Sequence, residues 1–398
     1  MKSTFLLLSL VTSIFFSACT NDTVGIFYSI ENEVKTNDND DTLPNTVTVE
    51  SLALRDNKLW LSAHILYTRN TSDTAWVKVS LDEITGQSKS NSKGIIKDGT
   101  RLFLLAGNIE TSNLQVYFSN TPEINSSWTK ATFPSANEGK PANSSLNNMI
   151  PVYNSTGDLT HILVTAQTTS VANPNLKQSP IYRLTAGGTQ FDALVLKNKN
   201  GSVIENSSIA TSGAQTASRS YITTGSALYR EEVTPGIFQE ESGLITTGTP
   251  FPTWPSHIIA IPKVGNTLLT QINADFLLTS DQGLIYKIKD VDSQWEQLIT
   301  TAFLYTGTQA TPTFMKLWSE ANLILVGTSK LGYLELVAGD TAPKLQTPAI
   351  STDASRYLSS SLSSANISYL LPISANELFI GTSSQGLWKL KDLVWAYE

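Results

Sequence analysis

The chain has 398 residues, of which only 15% are charged, and its formal net charge is −7 at pH 7. Its polar surface residues are expected to be mostly Ser, Thr and Asn, so no basic patch is available for nucleic acid or for an anionic membrane surface. Nucleic acid is therefore excluded as an expected partner. With a single cysteine, no intramolecular disulfide can form, and burial of apolar side chains must stabilise the fold.

The N-terminal segment has the pattern of a secretion signal. Lys2 supplies a positive charge, the run from Phe5 to Phe16 is almost entirely apolar, and two small residues precede Cys19. An apolar run of about a dozen residues is too short to cross about 30 Å of hydrocarbon as a helix. We predict a lipoprotein signal peptide over residues 1–18.

Phe16, Ser17, Ala18 and Cys19 resemble the lipobox of bacterial lipoproteins. Phe16 stands where that family usually has an aliphatic residue, a looser pattern of the spirochaete type. The resemblance implies that Cys19 is acylated and becomes the mature N-terminus, held in a membrane because each buried methylene contributes about 0.8 kcal/mol. No Asp follows the cysteine, which favours the outer membrane and leaves open which of its faces carries the protein. The alternative is a free thiol after ordinary cleavage.

Residues 19–45 are predicted to be the lipidated N-terminus and a polar spacer. Residues 31–41 are rich in Asp, Asn and Glu and have little apolar surface to bury. The apolar residues 24–30 that precede them form either a strand that joins the folded domain or part of a disordered tether. The sequence leaves both alternatives open.

The rest of the chain, residues 46–398, contains a repeat. Three similar hairpin sequences place Gly283, Gly332 and Gly386 at spacings of 49 and 54 residues, and the segments between them lack helical periodicity. Short apolar runs flanked by turn residues recur through the whole region and read as strands buried on both faces. Their centres are Leu61, Leu104, Leu163, Ile222, Leu277, Val326 and Ile380. Seven centres at this period predict an all-β fold, a β-propeller of seven four-stranded blades.

Each unit is predicted to contain a moderately apolar strand, the strongly apolar central strand, a hairpin and two further strands. The third strands are expected at 76–80, 115–119, 181–184, 284–288 and 387–390. Fourth strands often begin at an aromatic residue, as at Trp128, Phe191, Trp295 and Trp395. Closure of the ring is left open, since either residues 394–397 complete the last sheet alone or residues 24–30 contribute a strand.

Thr279, Asp281, Gly283 and Tyr286 match the Asp-box turn of sialidase-like propellers, and the other two copies carry Lys330 and Ser384 at the Asp position. The set also resembles the hairpins of regulator-type propeller repeats. Both resemblances imply structural turns, in which the glycines adopt a positive φ without steric cost. We assign this turn role to Thr279, Asp281, Gly283, Thr328, Gly332, Thr382 and Gly386.

A sialidase needs three arginines that grip a carboxylate, a Tyr/Glu nucleophile pair and an acid Asp. None of the seven arginines lies in that family's N-terminal motif. The adjacent carboxylates Glu231/Glu232 and Glu240/Glu241 would point to opposite faces of a strand. No catalytic residue is assigned.

The three histidines, His64, His161 and His257, each lie beside an isoleucine and are interpreted as half-buried strand residues. No metal-ligand spacing is present, and no metal or cofactor is expected.

Propellers bind ligands with their loops and axial funnel. Stretches that could begin the inner strands are rich in small polar residues and form the candidate ligand face, represented by Ser145, Ser208, His257, Thr313 and Asn366. The alternative is that these stretches are only tight turns. Two function classes follow. The favoured one is a non-enzymatic lipoprotein whose propeller binds or scaffolds an envelope or extracellular protein or a glycan. The alternative is a carbohydrate-active, sialidase-like hydrolase.

Overall fold

The computed structural model shows an all-β chain. It describes residues 43, 47–111, 113–133, 145–167, 181–204, 209–216, 219–224, 227–241, 255–261, 275–280, 285–289, 295–299, 304–305, 308–309, 312–321, 323–337, 345–346, 361–392 and 394–398. The predicted signal peptide, Cys19 and residues 24–30 lie outside the described residues. No helix in the described ranges is both long enough and apolar enough to cross a membrane.

Most of the described strands belong to five four-stranded sheets and one nine-stranded sheet, which contains two further four-stranded antiparallel units; the resulting seven units are numbered here in chain order. The first contains β1 Ser51–Arg55, β2 Lys58–Ala63, β3 Ile65–Asn70 and β4 Val77–Val79. The second contains β5 Ser90–Asp98, β6 Arg101–Asn108, β7 Asn113–Ser119 and β8 Thr129–Lys130. The third contains β9 Ser145–Tyr153, β10 Leu159–Gln167, β11 Ile181–Thr185 and β12 Asp192–Ala193. After β13 Val195–Lys197, the fourth contains β14 Ala210–Gln215, β15 Ser220–Thr224, β16 Leu228–Glu231 and β17 Ile237–Glu240.

The fifth unit contains β18 Pro255–Ile261, β19 Asp275–Ser280, β20 Ile285–Lys289 and β21 Trp295–Ile299. A hairpin of β22 Leu304–Tyr305 and β23 Thr308–Gln309 precedes the sixth unit, β24 Pro312–Trp318, β25 Leu323–Thr328, β26 Tyr333–Val337 and β27 Leu345–Gln346. The seventh contains β28 Ile367–Ser374, β29 Glu377–Thr382, β30 Leu387–Lys391 and β31 Val394–Tyr397. In the ranges that the structure describes, the helical elements are α1 Leu81–Thr85 and the 3₁₀ turns Asn125–Ser127, Ser319–Ala321 and Ser361–Ser364.

The first strands of the units are arranged in a ring. Each first strand contacts the first strand of the next unit, and β28 of the seventh unit contacts β1 of the first. Between units three and four the first strands also pair, through Tyr153 and Ala214, while β13 crosses to β17 in parallel. This cyclic order of small antiparallel sheets is a β-propeller, as the sequence predicts.

The second strand is the buried strand of each unit. All seven predicted centres lie on a second strand, and the six whose side chains are described are fully buried. The prediction for the first unit is wrong in one respect: residues 76–80 supply its fourth strand, β4, whereas β3 follows β2 directly. The turn between β2 and β3 contains no glycine. His64 adopts the left-handed backbone conformation there, with φ of 67°.

The seam between units seven and one closes the ring. The backbone N–H of Val49 donates to the carbonyl of Thr382 at 2.9 Å, and Arg69 pairs with Glu398. Leu43 and Val49 are buried in one cluster with residues of both units. Within the described strands, β31 completes the seventh sheet on its own.

Two glycines permit the close approach of neighbouring units. A Cβ on Gly327 of β25 would lie 2.7 Å from the side chain of Ile367, which begins the next unit. A Cβ on Gly381 of β29 would meet the side chain of Val49 at less than 3.0 Å. In the two Gly-Thr pairs at 327–328 and 381–382, the glycine is therefore needed for packing between units.

We expect Gly381→Ala to lower the free energy of unfolding by about 1–3 kcal/mol, because the added methyl overpacks the closing seam. Gly94→Ala is the matched control, since its methyl would lie 3.7 Å from Met149, an ordinary contact, and it should stay within about 1 kcal/mol of wild type. Urea unfolding of both variants checks the difference. Equal stabilities of the two variants would contradict the packing role of Gly381.

Candidate functional site

A cavity of about 390 Å³ lies on the propeller axis, between the first strands of units three, four, six and seven. A second space of about 370 Å³ adjoins units one, two, three and seven. The two share Tyr153, Gly157, Asp158, Leu371 and Pro372, so we treat them as one axial cavity. Its volume is typical of a small-molecule or peptide-side-chain site.

The rim of the axial cavity includes the turn between β9 and β10. The side-chain oxygen of Asn154 accepts hydrogen bonds from the backbone N–H groups of Thr156 at 3.0 Å and of Asp158 at 2.9 Å. Thr156 donates its hydroxyl to the Asp158 carboxylate at 2.6 Å. These bonds fix the turn and direct small polar side chains at the cavity. Other hydroxyls of the wall come from Thr211, Ser212, Thr313 and Ser319.

The interior of the axial cavity is aromatic and apolar. The rings of Phe314 and Tyr369 lie 4.9 Å apart, and the Lys316 ammonium lies 3.3 Å from the centre of the Tyr153 ring. Burial, together with a hydrogen bond to Tyr153, raises the pKa of Tyr369 well above its usual value. Tyr369 is therefore uncharged at neutral pH.

The carboxylates of the axial cavity stay at its exposed rim. Asp158 and Glu320 are both exposed, and Ser319 donates its hydroxyl to Glu320 at 2.9 Å. Lys316, in contrast, is half-buried. Among the described lining residues, the site thus has one half-buried cation, Lys316, and a hydroxyl-rich rim that carries the two carboxylates and the exposed Lys97.

Three of the described arginines connect neighbouring units: Arg55, Arg101 and Arg183. Arg55 of unit one contacts the Glu123 carboxylate of unit two at 2.9 Å, and Arg183 of unit three pairs with Glu231 of unit four at 2.6 Å. Arg101 of unit two donates to the carbonyl of Gly188, beyond β11. Among the described residues that line the axial cavity, none is an arginine. These side chains therefore do not form a three-arginine site for the carboxylate of a sialic acid.

The predicted turn residues form the same hydrogen bonds in two repeats. The hydroxyl of Thr328 donates to the carbonyl of Gly332, and that of Thr382 donates to the carbonyl of Gly386, both at 2.8 Å. Each glycine has a positive φ, 64° and 66°. Thr279 is the fifth residue of β19, and Asp281 and Gly283 lie outside the described residues.

The predicted ligand face is only partly brought to the axial cavity. Thr313 lines the cavity and donates its hydroxyl to the carbonyl of Ile367 at 2.5 Å. Asn366 is exposed just before β28, and its carbonyl accepts the N–H of Ser383. Ser145 and His257 lie at the starts of β9 and β18, and Ser208 lies outside the described residues.

The sequence-based prediction missed the residues at the ends of the first strands. Tyr153 is the last residue of β9, Asp158 closes the turn after it, and Lys316 lies near the end of β24. The Asn-Ser-Thr-Gly sequence at 154–157 signalled a turn but gave no indication that it faces the axis.

Two histidines differ from the prediction of half-buried strand residues. His64 is exposed in the turn between β2 and β3, where its backbone is left-handed. His161 on β10 is fully buried, which lowers its pKa to about 3, with Arg183 adding to the effect and a hydrogen bond to Gln215 opposing it. Only the backbone of His257 is described. No group of three or more His, Cys, Asp or Glu side chains in the described ranges could hold a metal ion.

His161 predicts a loss of stability in acid. The folded pKa of about 3 lies below the unfolded value of 6.5, so the unfolded state takes up the proton first as the pH falls. Between pH 7 and pH 5 this costs about 2 kcal/mol. His161→Gln should lose correspondingly less stability over that interval in urea unfolding. Parallel pH profiles for wild type and His161→Gln would contradict this prediction.

No protein-family model matches the chain, and no curated protein matches it. Solved structures do. YCF48 bound to D1 peptide is 13% identical with a TM-score of 0.54, over 88% of this chain and 93% of that one. YCF48 from Cyanidioschyzon merolae is 10% identical with a TM-score of 0.53, over 88% and 97%. The GH74 xyloglucanase from Xanthomonas campestris is 12% identical with a TM-score of 0.54, over 88% and 53%, so this chain spans about half of its length. These similarities identify the chain as a β-propeller protein and support only the fold.

Proposed function

We propose that this protein is an exported lipoprotein, anchored through Cys19, whose propeller binds a partner protein or glycan in its axial cavity without catalysing a reaction. The observation that carries the proposal is the composition of the cavity. Its described wall combines Ser, Thr and Asn side chains with Tyr153, Phe314 and Tyr369, and the described arginines are engaged elsewhere. Such a wall supplies hydrogen bonds and apolar area, the usual means of recognition.

The structural neighbours are compatible with this proposal but do not decide it. One neighbour is described as bound to a peptide, and another is a xyloglucanase. Because one fold supports both functions, the decision rests on the site. A hydrolase remains the second candidate, since Asp158 and Glu320 line the same cavity and paired carboxylates perform glycoside hydrolysis.

The anchor is tested by replacing the single sulfur. In cells fed radiolabelled palmitate, the wild-type protein should carry label and sediment with the outer membrane, because its acyl chains hold it there. Cys19→Ser should lose the label and leave the membrane fraction. Ser17→Thr, which keeps the cysteine, serves as the control for expression and export. Label retained by Cys19→Ser would contradict lipidation at this residue.

The binding role is tested by photo-crosslinking in intact cells. A benzophenone amino acid at Asn154, on the cavity rim, should give a discrete crosslinked product on irradiation, whereas the same group at Lys78, exposed on β4, should not. Mass spectrometry of the product identifies the partner.

Absence of a discrete product from Asn154, or equal products from both positions, would contradict binding in the axial cavity. Turnover of aryl glycosides by the purified protein that is abolished by Asp158→Asn would support the hydrolase instead.

A further inference from the structure

Lys316 is a half-buried cation without a carboxylate partner in the described part of the chain. Its one described interaction is with the Tyr153 ring. Of the four other half-buried lysines in the described ranges, three have a carboxylate at hydrogen-bonding distance: Lys93 with Glu50 at 2.9 Å, Lys197 with Glu232 at 3.0 Å and Lys389 with Glu377 at 2.9 Å. The fourth, Lys58, lies 5.6 Å from the centre of the Trp60 ring, whereas of these half-buried lysines Lys316 alone lines the cavity. Cations that leave bulk water are normally paired, because the desolvation of an unpaired charge is costly. Lys316 therefore has an unused capacity for an anion.

The surroundings of Lys316 restrict the anion to one that carries an apolar group. Ile150, Phe314, Leu317, Leu371 and Pro372 line the same cavity. The adjoining Tyr369 is neutral, so no negative charge beneath the lysine competes for it. The acidic residues among those described that line this cavity, Asp158 and Glu320, are exposed and accept hydrogen bonds from Thr156 and Ser319.

The rim adds a requirement for hydrogen-bond donors on the ligand. The carboxylates of Asp158 and Glu320 lie at the exposed rim, and the hydroxyls of Ser212 and Thr313 lie on the half-buried wall. A polypeptide that enters by its C-terminus has a carboxylate and an apolar side chain at its end, followed by backbone N–H groups. A free organic acid lacks backbone N–H groups, so it would donate no hydrogen bonds to the oxygens of the rim.

We propose that the axial cavity binds the C-terminal residue of a partner polypeptide, an apolar residue whose free carboxylate pairs with the Lys316 ammonium. This inference rests on the proposed binding function and names the class of ligand for that site. The Tyr153 ring holds the ammonium in place, and the apolar wall takes the terminal side chain. The charged hydrogen bond to the carboxylate distinguishes a chain end from an internal segment.

The test uses the full chain, purified in detergent, and a tetrapeptide library that varies the last two positions. The library is made in two forms, with free and with amidated C-termini, and retained peptides are quantified by mass spectrometry. Free-acid peptides with apolar last residues should be retained at least about tenfold better than their amides, since a charged hydrogen bond contributes about 1.5–3 kcal/mol. N-acetylphenylalanine, which has the carboxylate without a peptide chain, should compete at least about tenfold more weakly than the best tetrapeptide.

Lys316→Gln should abolish the preference for free acids, and Lys316→Arg, which keeps the charge, should retain it. Lys78→Gln, on the outer strand β4, is the matched control and should behave as wild type. Circular dichroism and urea unfolding confirm that each variant is folded.

Equal retention of acids and amides, an unchanged preference in Lys316→Gln, or no retention of either form would overturn this inference. Each of these results leaves the crosslinking from Asn154 intact, and a partner crosslinked there would then be bound by other chemistry. Tight competition by N-acetylphenylalanine would assign the site to small carboxylic acids rather than to chain ends and would also overturn it.

Discussion

The whole architecture depends on contact between the last unit and the first. A propeller is a row of sheets, each of which packs only on its neighbours, and the two end sheets are stabilised only if the row closes on itself. This chain has one cysteine, so no disulfide can join them. Closure rests on Val49 against Gly381 and Thr382, and on the ion pair between Arg69 and Glu398. Without it, β28 would lose its position beside β1, and the axial cavity would lose a wall.

Closure also determines which side chains are available for function. Arg55, Arg101 and Arg183 connect successive units, and Arg69 connects the ends of the ring. A guanidinium that satisfies several acceptors at a seam holds the sheets in register, but it cannot also grip a ligand at the axis. The described residues that line the axial cavity offer hydroxyls, amides, aromatic rings, the two lysines Lys97 and Lys316 and the carboxylates of Asp158 and Glu320. The arginines that stabilise the contacts between units are thus not available to bind a ligand carboxylate at the axis.

The repeat in the sequence made the fold predictable, and individual turns caused the errors in the predicted strands. Buried second strands such as Leu104 and Ile380 are apolar on both faces because they lie between two neighbouring strands and two neighbouring sheets, and this pattern is visible in the sequence. The first unit was misread because the turn at His64 carries no glycine, so β3 had no visible beginning. Similarly, the sequence showed Gly327 and Gly381 as parts of a repeated motif but did not reveal their packing role. That role depends on the close approach of neighbouring units.

The site was far less predictable than the fold. Tyr153 and Lys316 lie in different units and meet only because the ring closes, so no local spacing relates them. Thr313 was predicted as a ligand-face residue because it is polar and lies at the start of a strand. The cavity also extends to the ends of the first strands, where the sequence indicated only ordinary turns. A local pattern predicts strands and turns, whereas the width of an axial cavity follows from the packing of all the units together.

The most direct test of the account measures the closing seam itself. Spin labels are placed at the exposed residues Val77 of β4 and Val394 of β31 in a Cys19→Ser background, and the distance between them is followed by pulsed electron resonance through a urea titration. A closed ring predicts one narrow distance distribution that persists until the whole protein unfolds. A broad distribution in buffer, or broadening well before global unfolding, would show an open ring and would contradict the account.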